Sequence, residues 1–544
     1  MTGTFNATDY MVDRHVHDGN GNRTAMVSPS RSLSYDQLAQ EVRRVASGLR
    51  ALDVRPEERV LMCMVDEVEL FTGILATMHI GAVAVPVSTM LTGGELGKLV
   101  VDSRCRVVLG SAEFGATVRA SVVGAPEVRH LVLTGDETAD VTEHVQGHTW
   151  KQLLTTGDSI TAEPYSTWPD SPALWLYTSG TTGMPKAAVH RHADIEAVAE
   201  NYGRQVLNLG PQDRCLSVAK LFFAYGIGNS MFFPLSAGAT TLLEPARPTP
   251  HLLARRARED AATVFFGTPS FWGPLLASDV HDESFASVRQ GVSAGEALPA
   301  RMFHEVLQRF GVEVLDGIGS TEMLHIFLSN RPGCVRPASS GVPIPGYAIE
   351  LRDVNGASIE TPDTPGELYV SGASAASGYW CRAEASRQAF LGAWVRTGDT
   401  YVRNVDGSYT SMGRTDDLLK AGGIWVSPAE VEERLKAHPD VADVAVVGVP
   451  DEDGLDKPVA CVVAMAGRKV DADGLVTWCR EGLAAFKRPR GVLELSELPR
   501  THTGKVRRHV LRQLARDAGT LTASAPSTTR EPVSAAVQDC PEDQ

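Results

Sequence analysis

Short apolar runs alternate with helix-patterned stretches over the first 410 or so residues, and this alternation constrains the fold more than any other feature. "GAVAVPVS" (81–88), "VRHLVLTG" (128–135), "ATVFFGTP" (262–269) and "GVEVLDGIG" (311–319) have the length and β-branched content of buried strands. Helical segments such as "SYDQLAQEVRRVASGLRAL" (34–52) lie between several of them. There Ser34, followed three residues later by Gln37, forms a capping-box signal. Strand and helix in alternation predict an α/β architecture of mixed or parallel sheets covered by helices.

After "GRTDDLLKAGG" (413–423) the pattern restarts on a smaller scale. "SPAEVEERLKAH" has Ser427 placed as N-cap, Pro428 at the first helical position and Glu430 at the third. "VADVAVVGVP" (441–450) and "KPVACVVAM" (457–465) are two strands, "DADGLVTWCREGLAAF" (471–486) a helix and "RGVLELSEL" (490–498) a strand. "GKVRRHVLRQLARD" is a last helix, with Val506, Val510 and Leu514 spaced as its apolar stripe. A chain of 544 residues is too long for one core, since single cores stop growing near ~250–300 residues. The expected organisation is a large N-terminal domain (1–413), a small mobile α+β domain (414–516) and a tail (517–544). The tail has few bulky apolar groups and is expected to be disordered.

The net charge of −15 argues against a nucleic-acid polyanion as partner, because backbone binding needs a basic surface. The N-terminal stretch has no apolar core of a signal peptide, and no run of eighteen apolar residues occurs, so neither export nor membrane insertion is expected. Eight cysteines stand singly, with no C-x-x-C pair, as in a cytoplasmic protein with reduced thiols. His190 and His192 lack carboxylate or cysteine partners at metal spacing, so no zinc site is expected there.

"YTSGTTGMPK" (177–186) carries the first chemistry. It is not the usual nucleotide loop G-x-x-x-x-G-K-[ST], because Gly180, Gly183 and Lys186 are spaced G-x-x-G-x-x-K. Apolar "LWLY" (174–177) feeds straight into it, so a strand ends where the glycines begin. Gly180 and Gly183 let backbone N–H groups turn inward toward a phosphate. Thr178, Ser179, Thr181 and Thr182 supply hydroxyls, and Lys186 supplies charge.

This loop resembles the signature of the adenylate-forming superfamily, which includes acyl- and aryl-CoA synthetases, peptide-synthetase adenylation domains and firefly luciferase. Four more stretches resemble its other motifs in the same order: "GIGSTE" (317–322), "WVRTGD" (394–399), "GRTDDLLKAGGIWVSPAEVE" (413–432) and "PRTHTGKVRR" (499–508). In the second of the five motifs Ile318 replaces the usual aromatic. The resemblance spans residues 10 to 515 and implies a two-step reaction. An acid is activated by ATP to an acyl-adenylate with release of pyrophosphate, and a thiol then displaces AMP. It further implies that the glycine-rich loop with Lys186 holds the β- and γ-phosphates, that Thr321 meets the α-phosphate and that Glu322 binds Mg²⁺. Asp399 would take the ribose hydroxyls, assisted by Arg414. "SAGEAL" (293–298), with Gly295, Glu296 and Ala297, would line the adenine, with Gly295 letting the ring approach the backbone and Asp316 and Gly317 beside its amino group. Lys505 would stabilise charge in the adenylation transition state. Asp416 would be the hinge about which the small domain turns between half-reactions, bringing Gly422 and Gly423 to the thiol tunnel.

Two further stretches narrow the acid. "AKLFFAYGIGNSMFFPLSAGATTLLEPARPTP" (219–250) and "GSTEMLHIFLSNRPGCVRPASSGVPIPGYAIEL" resemble the benzoate-CoA ligase group. A benzoate site needs a short, flat apolar slot. Phe223, Ala224, Tyr225 and Gly226 offer an aromatic wall beside small residues. Gly228, Ile318 and Gly319 would keep the slot narrow, and His325 with Ile326 could close it. His325 could equally be a core histidine or a donor to a ring hydroxyl or amino group. CoA is the expected acceptor, with Lys487, Arg488 and Arg490 placed for its phosphates; an acidic acyl carrier protein could meet the same patch.

Overall fold

The computed structural model describes residues 3–135, 143–157, 162–178, 185–415, 419–421, 424–426, 428–450, 456–483, 487–500 and 506–520. The chain divides into two compact units, Met1–Thr415 and Asp416–Gln544. The first unit is built on three sheets. One has seven strands in the order Gln146–Thr149, His130–Leu133, Val107–Gly110, Arg59–Cys63, Val83–Pro86, Pro172–Thr178 and Lys186–Arg191. Its neighbours are parallel except the last pair, which is antiparallel. Val83–Pro86 and Val107–Gly110 are buried throughout, which explains their unbroken apolar sequences.

The second sheet has nine strands. Arg214–Ser217, Val264–Gly267, Gln290–Ser293 and Val314–Gly319 lie side by side and parallel, and Ile326–Ser329 returns antiparallel to the last of them. The helix Tyr35–Ala51 begins as its sequence predicts. The Ser34 hydroxyl accepts from the Gln37 amide at 3.2 Å, and the Gln37 side chain accepts from the Ser34 amide at 2.9 Å. Its buried face carries Leu38, Val42, Val45 and Leu49 at helical spacing.

The expected alternation stops before residue 410. Tyr347–Arg352, Gly366–Gly372, Trp394–Arg403 and Tyr409–Arg414 pair antiparallel in a third sheet. Chain reversals such as Asp353–Gly356 and Asn404–Gly407, closed by backbone hydrogen bonds of 3.0 and 2.9 Å, replace crossover helices there.

In the second unit, the helix Pro428–Lys436 is followed by the antiparallel pair Val441–Pro450 and Asp456–Ala464, then by the parallel strand Gly491–Glu494. Val444 and Val446 pack with Val431, Leu435 and Leu475 on one face of this sheet. Ala445 and Val447 pack with Leu511 and Ala515 on the other. Two expectations fail here. The helix drawn over 471–486 ends at Arg480, where Gly482 has no side chain to collide with the Arg434 guanidinium; a β-carbon there would lie 2.7 Å from Nε. The last helix is Arg508–Asp517, and it buries Leu511 and Ala515 instead of Val510 and Leu514, while Val506 precedes it in a bridge to Arg500. Ser427 lies outside the described residues, as does the tail beyond Thr520. Among the described residues, no helix is long and apolar enough to cross a membrane, and the cysteines are unpaired.

Candidate active site

Thr178 and Lys186 end two antiparallel strands and pair directly across them. Ser179, Gly180, Thr181, Thr182 and Gly183, between those ends, lie outside the described residues. Beyond Lys186 the strand is flanked by residues 377–380. The Val189 amide donates to the Gly378 carbonyl at 3.0 Å and the Trp380 amide to the Ala187 carbonyl at 2.9 Å. This pairing sets the Tyr379 ring beneath Lys186, whose Nζ is 5.1 Å from the ring centre. The Tyr379 hydroxyl donates to Glu322 Oε1 at 2.5 Å. Burial, and then the Glu322 charge, raise the tyrosine's pKa well above its ordinary value, so the hydroxyl stays a donor.

Glu322 sits in a tight turn, Ser320–Leu324, whose carbonyls are tied one after another. Thr321 O lies 2.7 Å from His190 Nε2, Glu322 O accepts from the Ala376 amide at 2.8 Å, and Met323 O accepts from the Ser374 hydroxyl at 2.8 Å. Leu324 closes the turn at φ +66°, a conformation costly for a side chain of its kind. His190 Nδ1 lies 3.1 Å from Asp194 Oδ2, and Asp194 also accepts from the backbone and side chain of Arg191, each at 3.0 Å. His192 has a separate task. Its Nδ1 accepts from the Ala7 amide at 3.0 Å, and burial lowers its pKa to about 4, which keeps it neutral.

The candidate nucleotide residues lie on strands of two sheets and on the turn beside one of them. Ser293 and Asp316 pair across parallel strands, so the "SAGEAL" turn and Asp316 are neighbours. Gly295, Glu296 and Ala297 are exposed. Gly295 has φ +92° and would meet nothing within 4 Å if it carried a β-carbon, so within the fold it is the backbone conformation that favours glycine. Asp316 is buried, its Oδ1 has no partner among the described residues, and burial raises its pKa well above the carboxylate range. Gly317, next to it, is packed against the Leu328 carbonyl. Asp399 and Arg414 pair across neighbouring strands, and Arg414 Nη1 donates to Asp399 Oδ1 at 3.1 Å and to the Thr397 carbonyl at 2.9 Å.

The residues expected to face the acid form a compact wall. Phe223 precedes a helical stretch that runs Ala224–Ile227, widens into a π-helical turn over Gly228–Phe232 and resumes as Phe233–Ala237. Ala224 and Tyr225 are half-buried, and the Tyr225 hydroxyl donates to the Gly267 carbonyl at 3.1 Å. A β-carbon on Gly226 would lie 1.9 Å from the Lys220 carbonyl, and one on Gly228 would lie 2.3 Å from His325 Cδ2. The segment is anchored where buried Asp66 accepts from the Leu221 amide at 3.1 Å.

His325 belongs to this wall. Its Nε2 faces two acceptors, Asn229 Oδ1 at 3.1 Å and the Tyr225 carbonyl at 3.3 Å, so Nε2 carries the proton. Nδ1 is therefore an acceptor, without a partner among the described residues. Burial lowers the His325 pKa to about 3, so the ring is neutral, packed 4.5 Å from Phe233 and 5.4 Å from Tyr225 between centroids. Its single N–H is engaged inside the protein, by Asn229 and the Tyr225 carbonyl. Gly319 pairs with Ile326 across the antiparallel ladder, Ile318 is half-buried and Ile326 is buried against Gly317.

In the second unit, Lys487 Nζ is bound by both Glu430 oxygens at 2.6 and 2.7 Å, and Arg488 Nε donates to the Leu483 carbonyl at 2.9 Å. Lys505, Asp416, Gly422 and Gly423 lie outside the described residues. Four residues in the first unit were not anticipated from sequence as site residues: Tyr379, the His190–Asp194 pair and Asn229. "SGYW" (377–380) carried a usable signal, an aromatic pair after a glycine ahead of a helix. A buried histidine and aspartate four residues apart carried none.

This chain, with its paired strand ends Thr178 and Lys186 and its Thr321–Glu322 turn, matches known proteins along its length. The model of AMP-binding enzymes matches residues 13–380, and that of their C-terminal domain matches residues 430–505. The chain belongs to the AMP-binding, adenylate-forming enzyme family. It is 41% identical to a benzoate–CoA ligase of Thauera aromatica, over 93% of this chain and 96% of that one. A 4-hydroxybenzoate–CoA/benzoate–CoA ligase of Rhodopseudomonas palustris is 39% identical over 96% of each chain. The crystal structure of the anthranilate CoA ligase AuaEII with anthranoyl-AMP superposes with a TM-score of 0.88 at 34% identity, covering 95% of this chain and 99% of that one.

Proposed function

We propose that this protein is an aryl acid–CoA ligase whose preferred acid is benzoate. A benzoate oxygen attacks the α-phosphorus of ATP, the bond to the β-phosphate bridge breaks, and pyrophosphate leaves with that electron pair. The sulfur of CoA, losing its proton, then attacks the acyl carbon of benzoyl-AMP. The carbon–oxygen bond breaks, and AMP leaves. Lys186 and Lys505 neutralise charge as it develops on the phosphates, and the Thr321 hydroxyl donates to the α-phosphate. Asp399 and Arg414 orient the ribose, and Asp316 with the Gly295–Ala297 turn faces the adenine. Mg²⁺ would be held chiefly by the phosphates, with Glu322 as a hard oxygen ligand, and would offset phosphate charge. Among the described residues no trio of His, Cys, Asp or Glu is placed to hold a metal alone, which fits an ion that arrives with the nucleotide.

Full-length similarity to benzoate–CoA ligases carries this reading. The wall supports it: Gly226 and Gly228 allow main chain and the His325 ring to pack where any side chain would collide. The two units meet in sequence at Asp416, the proposed hinge. Rotation there would exchange the Lys505 loop for the Gly422–Gly423 face. The substrates ATP and CoA place the reaction in the cytoplasm. Transfer to an acyl carrier protein is the second reading, and the Lys487–Glu430 pair does not favour either acceptor, since both are anionic.

The deciding experiment is ATP–pyrophosphate exchange with benzoate, the three hydroxybenzoates and anthranilate, followed by thioester formation with CoA and with carrier proteins. Benzoate should give the highest kcat/KM, and CoA should accept the acyl group. A hydroxybenzoate or anthranilate turning over faster would reassign the acid. Exclusive acylation of a carrier protein would reassign the acceptor.

A further inference from the structure

The strand that leaves the glycine-rich loop reaches the Thr321–Glu322 turn through one side chain. His190 is fully buried four residues after Lys186, and its Nε2 lies 2.7 Å from Thr321 O. A carbonyl oxygen only accepts, so this nitrogen carries a proton. The opposite nitrogen, Nδ1, lies 3.1 Å from Asp194 Oδ2. Asp194, also fully buried, is itself fixed by the Arg191 amide and guanidinium, and Arg191 reaches on to Asp170 at 2.7 Å and to the Ala373 carbonyl at 2.8 Å. Ala373 adjoins Ser374, whose hydroxyl ties the Met323 carbonyl, and Ala376, whose amide ties the Glu322 carbonyl. The imidazole is therefore a strut with both ends fixed.

We infer that His190, oriented by Asp194, is a positioning residue for the adenylation step: it sets the Thr321 hydroxyl and Glu322 carboxylate relative to Lys186. Lys186 and His190 share one strand, so a displacement of the turn from that strand changes the spacing between Lys186 and Thr321. Misplacement of reacting groups by about 1 Å can cost on the order of a hundredfold in rate. Thioester formation from a completed adenylate makes no pyrophosphate and makes less use of this spacing. The inference rests on the adenylating role proposed above for Thr321 and Glu322.

The test compares wild type with His190→Ala, His190→Gln and Asp194→Asn, each checked for unchanged circular dichroism and melting. His190→Ala should lower kcat for ATP–pyrophosphate exchange roughly 30- to 100-fold, with the KM for ATP and the rate of thioester formation from supplied benzoyl-adenylate changed less than about threefold. His190→Gln keeps an N–H donor near the Nε2 position and should recover part of the loss. Asp194→Asn should resemble it. Equal loss in both half-reactions, a KM effect with unchanged kcat, or a Gln variant no better than Ala in a folded protein would overturn the inference. Failure of the proposed function would appear differently, as absence of exchange in the wild-type enzyme with every aryl acid.

Discussion

The Ser320–Leu324 turn and the Phe223–Gly228 wall meet at His325, yet opposite means hold them in place. The turn is held by what is added to it: an imidazole, an amide and a hydroxyl, each on a successive carbonyl. The wall is held by what is left out, because Gly226 and Gly228 leave space for a carbonyl and a ring. A structure made of several ties weakens by degrees when one is cut. A structure made of clearances fails by collision, since the backbone must move before a β-carbon fits. Damage to the turn should therefore appear as slower adenylation with any acid, and damage to the wall as altered acid selectivity with ATP handling preserved.

The largest effect is expected on the charged side. Lys505→Ala should reduce adenylation by a factor on the order of a hundred to a thousand while sparing thioester formation from supplied benzoyl-adenylate. Rapid-quench measurement of the two half-reactions decides this, and equal losses in a folded variant would remove Lys505 from its role.

Next come the wall variants. Gly228→Ala pushes on His325, and Ala224→Leu adds bulk to a half-buried position; overpacking of this kind costs about 1–3 kcal/mol, or roughly ten- to hundredfold in benzoate kcat/KM. The KM for ATP should hardly change, and ortho- and para-substituted benzoates should respond differently. A uniform decline across every acid would show that wall and turn are not separable.

A smaller loss, about three- to tenfold in exchange kcat, is expected for Tyr379→Phe, which removes one charge-assisted bond at half-exposed Glu322. The loss should shrink at high Mg²⁺. No change at any Mg²⁺ concentration would mean that the remaining ties fix Glu322 without it.

The smallest effect concerns the anchor of the wall. Burial raises the Asp66 pKa to about 6 from an unfolded value of 3.8. The folded state thus holds this proton longer than the unfolded state does. The stabilisation is fully present below about pH 4 and is lost as pH rises through about 6. Asp66→Asn keeps an acceptor for the Leu221 amide but cannot ionise, so its melting temperature should gain on wild type as pH rises from 5 to 7. Parallel melting curves across that range would show that Asp66 is charged when folded.

Much of the fold was legible because buried strands and capped helices announce themselves locally, as at Val83–Pro86 and Ser34–Gln37. The antiparallel sheet over 347–414 was not anticipated, because its strands are only partly buried, which breaks up their apolar runs, and its turns carry weak signals. The last helix begins at Arg508, four residues later than its sequence suggested, and its buried face was not foreseen. Val506, Val510 and Leu514 are apolar at the right spacing, yet Leu511 and Ala515 meet the sheet; an apolar spacing does not say which of two candidate faces a partner will cover. At the site, motifs supplied the residues meant to touch ligand. They were silent about His190 and Tyr379, whose roles depend on partners 131 and 57 residues away.

The widened turn at Gly228–Phe232 has a consequence for how this enzyme can vary. An ordinary helix advances about 100° per residue, so deleting one residue from the turn would restore regular winding but swing everything after it by that angle. Asn229, on the His325 side, and Phe233, against the His325 ring, are in register only with the extra residue present. A substitution in this segment, even at Gly228 or Asn229, changes one contact, whereas a change in its length moves them all. Relatives that part company here by an insertion or deletion should also have rebuilt the partner of their histidine, which makes chain length in this one turn a marker for a changed choice of acid.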